Sequence, residues 1–294
     1  MKRILLFILT NLAVLALLSL VIFVIEQIFG VRLAGQGLGG LLVFAAVFGF
    51  GGALISLAMS KWTAKRTMGV RVIGQPQSDV EMWLVNTVAH LAERVHIGMP
   101  EVGIFESEEM NAFATGARRN AALVAVSTGL LRSMSRTQAE AVIGHEISHV
   151  ANGDMVTLTL LQGVLNTFVI FLARIIGSFV DRAVFKNERE DSGIGFFLIT
   201  MVAQIVLGLF ASMIVCAFSR YREFRADRGG ADLAGTPNMI GALEVLKRSQ
   251  GEPMPQQMQA FGINTGESHG WMRLFMTHPP LEARIAALQG PPRA

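Results

Sequence analysis

A single cysteine, Cys216, in 294 residues excludes an internal disulfide, and its place inside an apolar run gives no reason to expect an oxidising compartment. Charge is scarce as well: charged residues make up 16 % of the chain, against about 25 % in an ordinary soluble domain. Hydrophobic residues reach 52 %, so much of the surface must face something other than water, and lipid is the obvious phase. The net charge of +3 does not point to nucleic acid, because the Lys and Arg residues sit beside apolar runs and form no patch interleaved with aromatics. Internal repeats and long low-complexity tracts are absent too, so the length accommodates one soluble domain and a few membrane helices.

What the chain does have is long apolar runs. Residues 4 to 25 are apolar apart from Thr10, Asn11 and Ser19, and about 22 residues at 1.5 Å each reach ~33 Å, enough for a hydrocarbon core. The run exceeds the ~7 to 15 apolar residues of a signal peptide and ends in Glu26 and Gln27, so it predicts a retained spanning helix. A second run, Leu38 to Ser60, carries no charge, and its glycines, among them Gly49, Gly51 and Gly52, permit close helix packing in lipid. A third, Val156 to Val180, is interrupted by Gln162, Asn166 and Arg174; a fourth, Ile194 to Phe218, has only Gln204 as a strongly polar residue. The third run therefore has an alternative, a helix packed on the soluble domain.

Basic residues set the expected orientation. Lys2 and Arg3 precede the first run, Lys61, Lys65, Arg66 and Arg71 follow the second, and Arg220, Arg222, Arg225 and Arg228 follow the fourth. The connection between the first two runs carries only Arg32, close to Glu26, and the third and fourth are joined by a mixed-charge loop from Asp181 to Asp191. Positive charge gathers on the cytoplasmic side, so the outer ends of both hairpins are expected there. The predicted organisation is a transmembrane hairpin over 1–60, a first part of a cytoplasmic domain over 61–155, a second hairpin over 156–219 and the rest of the cytoplasmic domain over 220–294. Residues 249 to 270, rich in Gly, Pro, Gln and Met, predict a long mobile loop or disorder.

The chemistry concentrates in Gly144-His145-Glu146-Ile147-Ser148-His149. Thr137 with Glu140 three residues on is a capping-box pattern, and the apolar residues that follow favour a continuing helix. Helix positions i and i+4 share a face with Cβ atoms about 6 Å apart, so both imidazoles can reach one zinc ion. Glu146, offset by one position, falls beside the metal, where a carboxylate can accept a proton from the attacking water. A catalytic zinc wants a third protein ligand, and Glu223 in Arg222-Glu223-Phe224-Arg225-Ala226-Asp227 is the candidate. Asp227, one turn on, is placed to accept the free N–H of a ligand imidazole. Alone, this acid among arginines reads equally well as a solvated ion-pair face.

Ahead of the zinc helix, Val102 to Glu106, Asn111 to Thr115 and Ala121 to Val126 predict a small sheet whose edge can hold an extended peptide. His278 precedes Pro279-Pro280 and a helix through Leu281, Ala283, Ile285 and Leu288, a position from which it can hydrogen-bond a developing oxyanion or serve only in capping. His90, His96 and His269 read as structural or solvated.

His145-Glu146-x-x-His149 with Glu223-x-x-x-Asp227 between apolar helices, together with Asn111-Ala112-Phe113-Ala114-Thr115-Gly116 and Thr277-His278-Pro279-Pro280, resembles the HtpX-type bacterial membrane metalloproteases, cousins of the eukaryotic prenyl-protein endoproteases. The resemblance covers essentially the whole chain. It implies a mainly α membrane protein with about four transmembrane helices and a zincin-like α+β cytoplasmic protease domain. It further implies one zinc ion per chain, substrate contacts from Asn111 and Ala112, and cleavage of damaged or misfolded membrane proteins at the bacterial inner membrane. The competing expectations are a prenyl-protein endoprotease and a binding or transport protein in which zinc is structural; the second lacks the ionisable residues that transport needs within its spans, where only Arg174 occurs.

Overall fold

The computed structural model describes residues 37–185, 194–250 and 272–290, together with Leu20, Phe23, Val24 and Gln27. The first apolar run otherwise lies outside the described residues, as do 186–191 of the expected mixed-charge loop and 251–270 of the expected mobile one. Three described helices are long and apolar enough to cross a membrane: α1, Gly37–Met68; α5, Asp154–Phe185; and α6, Ile194–Ala234. The fourth span expected from the sequence would be the first run.

The chain falls into two compact units, one of Met1–Leu57 with Thr157–Val215 and the other of Ala58–Val156 with Cys216–Ala294. In the first, α1 and α5 approach backbone to backbone at Gly49, where an added Cβ would lie 2.6 Å from the Thr167 nitrogen and 2.9 Å from the Gly163 oxygen. Small residues let helices close in lipid, where apolar burial gives no net pull. Gly52, by contrast, meets nothing within 4 Å and plays no part in that contact. The polar residues that interrupt the third run are satisfied locally. Gln162 Nε2 donates to Asn166 Oδ1 at 2.8 Å, and the Arg174 guanidinium lies 4.5 Å from the centre of the Phe44 ring, a cation–π contact suited to an apolar setting.

The second unit is an α+β domain. Its mixed sheet runs in the order β1-β2-β4-β3, with β1 Arg71–Val72, β2 Glu101–Phe105, β3 Ala112–Thr115 and β4 Leu123–Ser127. β2 and β4 are parallel, while β1 and β3 are antiparallel to their neighbours. The two-residue β1 has no signal of its own in the sequence and forms because Arg71 and Val72 pair with Ile104 and Gly103.

Two helices cover the sheet: α2, Asp79–Arg94, capped by Ser78, and α4, Arg136–Asn152. Leu84, Val88 and Leu91 of α2 and Ile143 and Ile147 of α4 bury against Val102, Ile104, Val124 and Val126. Apolar burial of this kind is worth about 1.5 to 3 kcal/mol per large side chain and holds α4 firmly on the sheet. The cap of α4 lies two residues before the expected one: Ser135 is the N-cap, with its hydroxyl on the Gln138 N–H and the Gln138 side chain on the Ser135 N–H. Thr137-Glu140 matched the pattern, but Ser135-Gln138 satisfies it, and Gly153 ends the helix in the left-handed conformation (φ 69°).

After the short α3, Thr128–Ser133, a second cluster joins α4 to α7, Thr236–Gln250, and α8, Leu281–Gln289, through Leu130, Val142, Met239, Leu243, Leu281 and Ile285. α6 passes across α4 where Gly230 meets it, an added Cβ there lying 3.0 Å from the Ala141 oxygen and from the His145 nitrogen. This tight crossing brings Glu223, two turns earlier on α6, up to His145.

Candidate metal centre

α4 supplies two imidazoles and α6 one carboxylate. His145 Nε2 and His149 Nε2 are 3.1 Å apart, His145 Nε2 is 3.6 Å from Glu223 Oε2, and His149 Nε2 is 3.4 Å from Glu223 Oε1. Donors 2.0 to 2.1 Å from a tetrahedral zinc ion stand about 3.3 Å from one another, so the two imidazoles and the Glu223 carboxylate are spaced as three ligands of such a site. Two imidazole nitrogens and a carboxylate oxygen are a donor set that zinc takes, and among the described residues this is the group of His, Cys, Asp and Glu close enough to share an ion.

The rings are oriented from behind. His145 Nδ1 lies 2.9 Å from Asp227 Oδ1, and His149 Nδ1 lies 2.6 Å from Asp154 Oδ2. Ionised carboxylates only accept, so in each ring Nδ1 carries the hydrogen and Nε2 is left with its lone pair toward the common point. Asp227, 1 % exposed, is held by the Arg284 guanidinium, whose Nε and Nη2 donate to its two oxygens at 2.8 and 2.6 Å. Arg284 Nη1 also stands 3.3 Å from Glu223 Oε2. Asp154 has its own cation: Arg222 pairs with its carboxylate and donates Nη1 to its carbonyl at 2.6 Å.

The site thus contains three residues to which the sequence motifs assign no role: Asp154, Arg222 and Arg284. Arg284 did leave a trace, for it falls with Leu281, Ile285 and Leu288 on one i, i+3, i+4, i+7 stripe of α8, a charge where the pattern wants an apolar residue. Arg222 stood only among the four arginines that follow the fourth run, and Asp154 left no trace. Asp154 follows the helix-ending Gly153, and only the chain turn there returns it to His149.

Glu146 stands beside the triangle and shares none of its edges. Its Oε2 accepts the Ala114 N–H of β3 at 2.9 Å, and burial pushes its carboxyl above the usual carboxylate range, although both neighbouring histidines pull it down. β3 is an edge strand, and its hydrogen bonds alternate in direction. Asn111 is spent inward, its N–H on the Ser127 hydroxyl at 2.9 Å and its C=O on the Ser127 N–H at 2.8 Å. The Ala112 and Ala114 main chain faces the open edge, on the side of Glu146, and what Asn111 can offer there is its exposed side chain. His278, 63 % exposed, has Nδ1 2.8 Å from Glu223 Oε2. His90 and His96 lie outside this cluster, and His269 is outside the described residues.

Comparison with known proteins comes to one family. Residues 78–291 match Peptidase family M48. Protease HtpX of Alkalilimnicola ehrlichii is 61 % identical over 98 % of each chain, the Protease HtpX homolog of Thiobacillus denitrificans is 61 % identical over 98 % of this chain and 99 % of its own, and Protease HtpX of Pseudomonas aeruginosa is 56 % identical over the full length of both. Among solved structures, the crystal structure of S. mikatae Ste24p shares the fold, with a TM-score of 0.66 at 18 % identity over 98 % of this chain and 67 % of that one.

Proposed function

The chain belongs to peptidase family M48 and is a membrane metalloprotease, and from that premise we propose that it is a zinc-dependent endopeptidase of the bacterial cytoplasmic membrane, with its active site on the cytoplasmic side, that cleaves misfolded or damaged membrane proteins. The observation that carries the reading is the triangle of His145, His149 and Glu223: the two Nε2 atoms stand 3.1 Å apart, with Glu223 Oε2 3.6 Å from the first and Oε1 3.4 Å from the second. These three residues would hold the ion, and Asp227 and Asp154 would fix the imidazole tautomers. When bound, the metal would supply Lewis acidity toward the scissile carbonyl and toward the attacking water.

The remaining work falls to the protein's own groups. The open edge of β3 would take an extended peptide as an added strand, with the Ala112 main chain and the Asn111 side chain making the nearest contacts. That strand would pass over Glu146, which the Ala114 N–H holds in position to take a proton from the attacking water and return it to the leaving nitrogen. His278, at the exposed side of the site, would hydrogen-bond the carbonyl oxygen as charge develops on it. The transmembrane hairpins, predicted over 1–60 and 156–219, would keep the protease domain at the membrane surface, where exposed segments of membrane proteins emerge. Preference for damaged substrates draws on the family resemblance and on this placement.

The test is cleavage of casein, an unfolded protein, by the purified full chain in neutral detergent. Cleavage should stop on addition of a chelator and return with zinc. Activity that persists in excess chelator would overturn the proposal.

Asp154 offers a separate check on the imidazole anchoring. Asp154→Asn should weaken zinc binding about 10- to 100-fold, because the amide can present N–H toward His149 Nδ1 and release the ring from its tautomer. Competition titration against a chromophoric chelator measures this, and an unchanged affinity would mean that His149 is oriented by packing alone.

A further inference from the structure

Beside the metal centre, and sharing none of its ligands, α2, α4 and α6 enclose a concavity of about 500 Å³. Arg94 of α2, Arg225 and Arg228 of α6, and Ser148 and Asn152 of α4 line it. Asp232 is the one acidic residue in its wall, so three guanidinium groups face a single carboxylate. Arg94 is fixed there by the main chain of α6, donating to the Leu233 carbonyl and, at 3.1 Å, to that of Asp232. Arg225 and Arg228 are exposed and make no hydrogen bond or ion pair among the described residues. Two unpaired arginines in a concave wall leave a strong positive potential unanswered by the protein.

The level of the concavity along the helices says what answers it. Arg225 follows the last apolar residue of the fourth run, Phe218, by seven positions, about 10 Å along α6, and Arg228 by about 15 Å. Asn152 ends α4 at the Gly153 turn, four positions before Val156, the first apolar residue of the third run. Headgroups occupy about 5 to 8 Å beyond the hydrocarbon, within reach of an arginine side chain from those levels. Tyr221 and Phe224 are exposed and share the i, i+3, i+4, i+7 face of α6 with Arg225 and Arg228. Tyrosine is among the residues that gather at the membrane interface.

We propose that this concavity binds the phosphate group of an anionic phospholipid, so that a lipid of the bilayer is held against the helix that carries His145 and His149. Arginine forks match phosphate oxygens in pairs, and phosphate is the anion that a bilayer surface presents at this level. The proposal requires α5 and α6 to cross a bilayer; it depends on neither metal binding nor peptide hydrolysis.

The test uses the purified full chain in nanodiscs of phosphatidylcholine doped with phosphatidylglycerol, with the phosphatidylglycerol retained per chain after extraction as the readout. Arg225→Gln and Arg228→Gln should each lower retention about fivefold, Arg225→Lys should lower it less, and Arg66→Gln, which removes an exposed charge at the end of α1 outside the concavity, should change it less than twofold. Inorganic phosphate at millimolar concentration should compete, because the site reads the phosphate group. Equal losses in all three glutamine variants would reduce the effect to general surface charge and overturn the proposal, as would no loss in any. Binding of inorganic phosphate without discrimination between the two lipids would make it a free-anion site and overturn the lipid assignment.

Discussion

Glu146→Gln should leave about one zinc per chain in place while peptide hydrolysis falls by a factor of about 10² to 10⁴, the usual worth of a positioned general base. The separation of the two effects follows from the geometry. The Glu146 carboxylate shares no edge of the donor triangle, so its loss costs the ion nothing directly. Glutamine has the same shape, and its side-chain oxygen can still accept the Ala114 N–H that anchors Glu146 Oε2 at 2.9 Å. What glutamine cannot do is take up a proton. In the metal-free protein, burial raises the proton affinity of this carboxyl. Casein turnover and zinc content, measured on the same preparation, check the prediction; unchanged turnover would remove Glu146 from the mechanism.

Arg284→Ala should lower the thermal unfolding midpoint of the metal-free protein by about 10 °C. Arg284 is 7 % exposed and holds two carboxylates that are more buried still, Asp227 at 1 % and Glu223 at 4 %. Removing one partner of such a buried group leaves the other charges uncompensated, at a cost of about 3 to 5 kcal/mol. For a domain of this size each kcal/mol moves the midpoint by roughly 2 to 4 °C. Burial alone would weaken the charge on the guanidinium, but its paired hydrogen bonds to Asp227 outweigh that and hold its pKa above the ordinary arginine value. Arg284→Lys keeps the charge and loses the fork, so its midpoint should fall between the other two. An alanine variant that melts with the wild type would show that the Asp227 and Glu223 carboxylates are compensated by other means.

What the sequence made legible was the chemistry with a local spacing. His145 and His149 share a helix face because they stand four positions apart, and Glu223 and Asp227 do so for the same reason. The sheet likewise stood out as short apolar strands between turns, with boundaries within two residues of those in the structure. What stayed hidden depends on contacts between distant segments. β1 is two residues long and exists only through pairing with β2. Asp154 reaches His149 because Gly153 takes a left-handed turn between two helices. Arg284 arrives from the last helix, 57 residues beyond Asp227. The choice of Ser135 over Thr137 as the helix cap shows the same limit on a smaller scale: two overlapping patterns fit the sequence, and the chain uses one.

Central to the account is a single divalent ion gripped by His145, His149 and Glu223. Its most direct test is the metal content of the full chain, purified without chelator, beside that of Glu223→Ala. About one zinc per wild-type chain and little or none in the variant is the predicted result; an intact chain that holds no metal, or a variant that holds it as tightly, would contradict it.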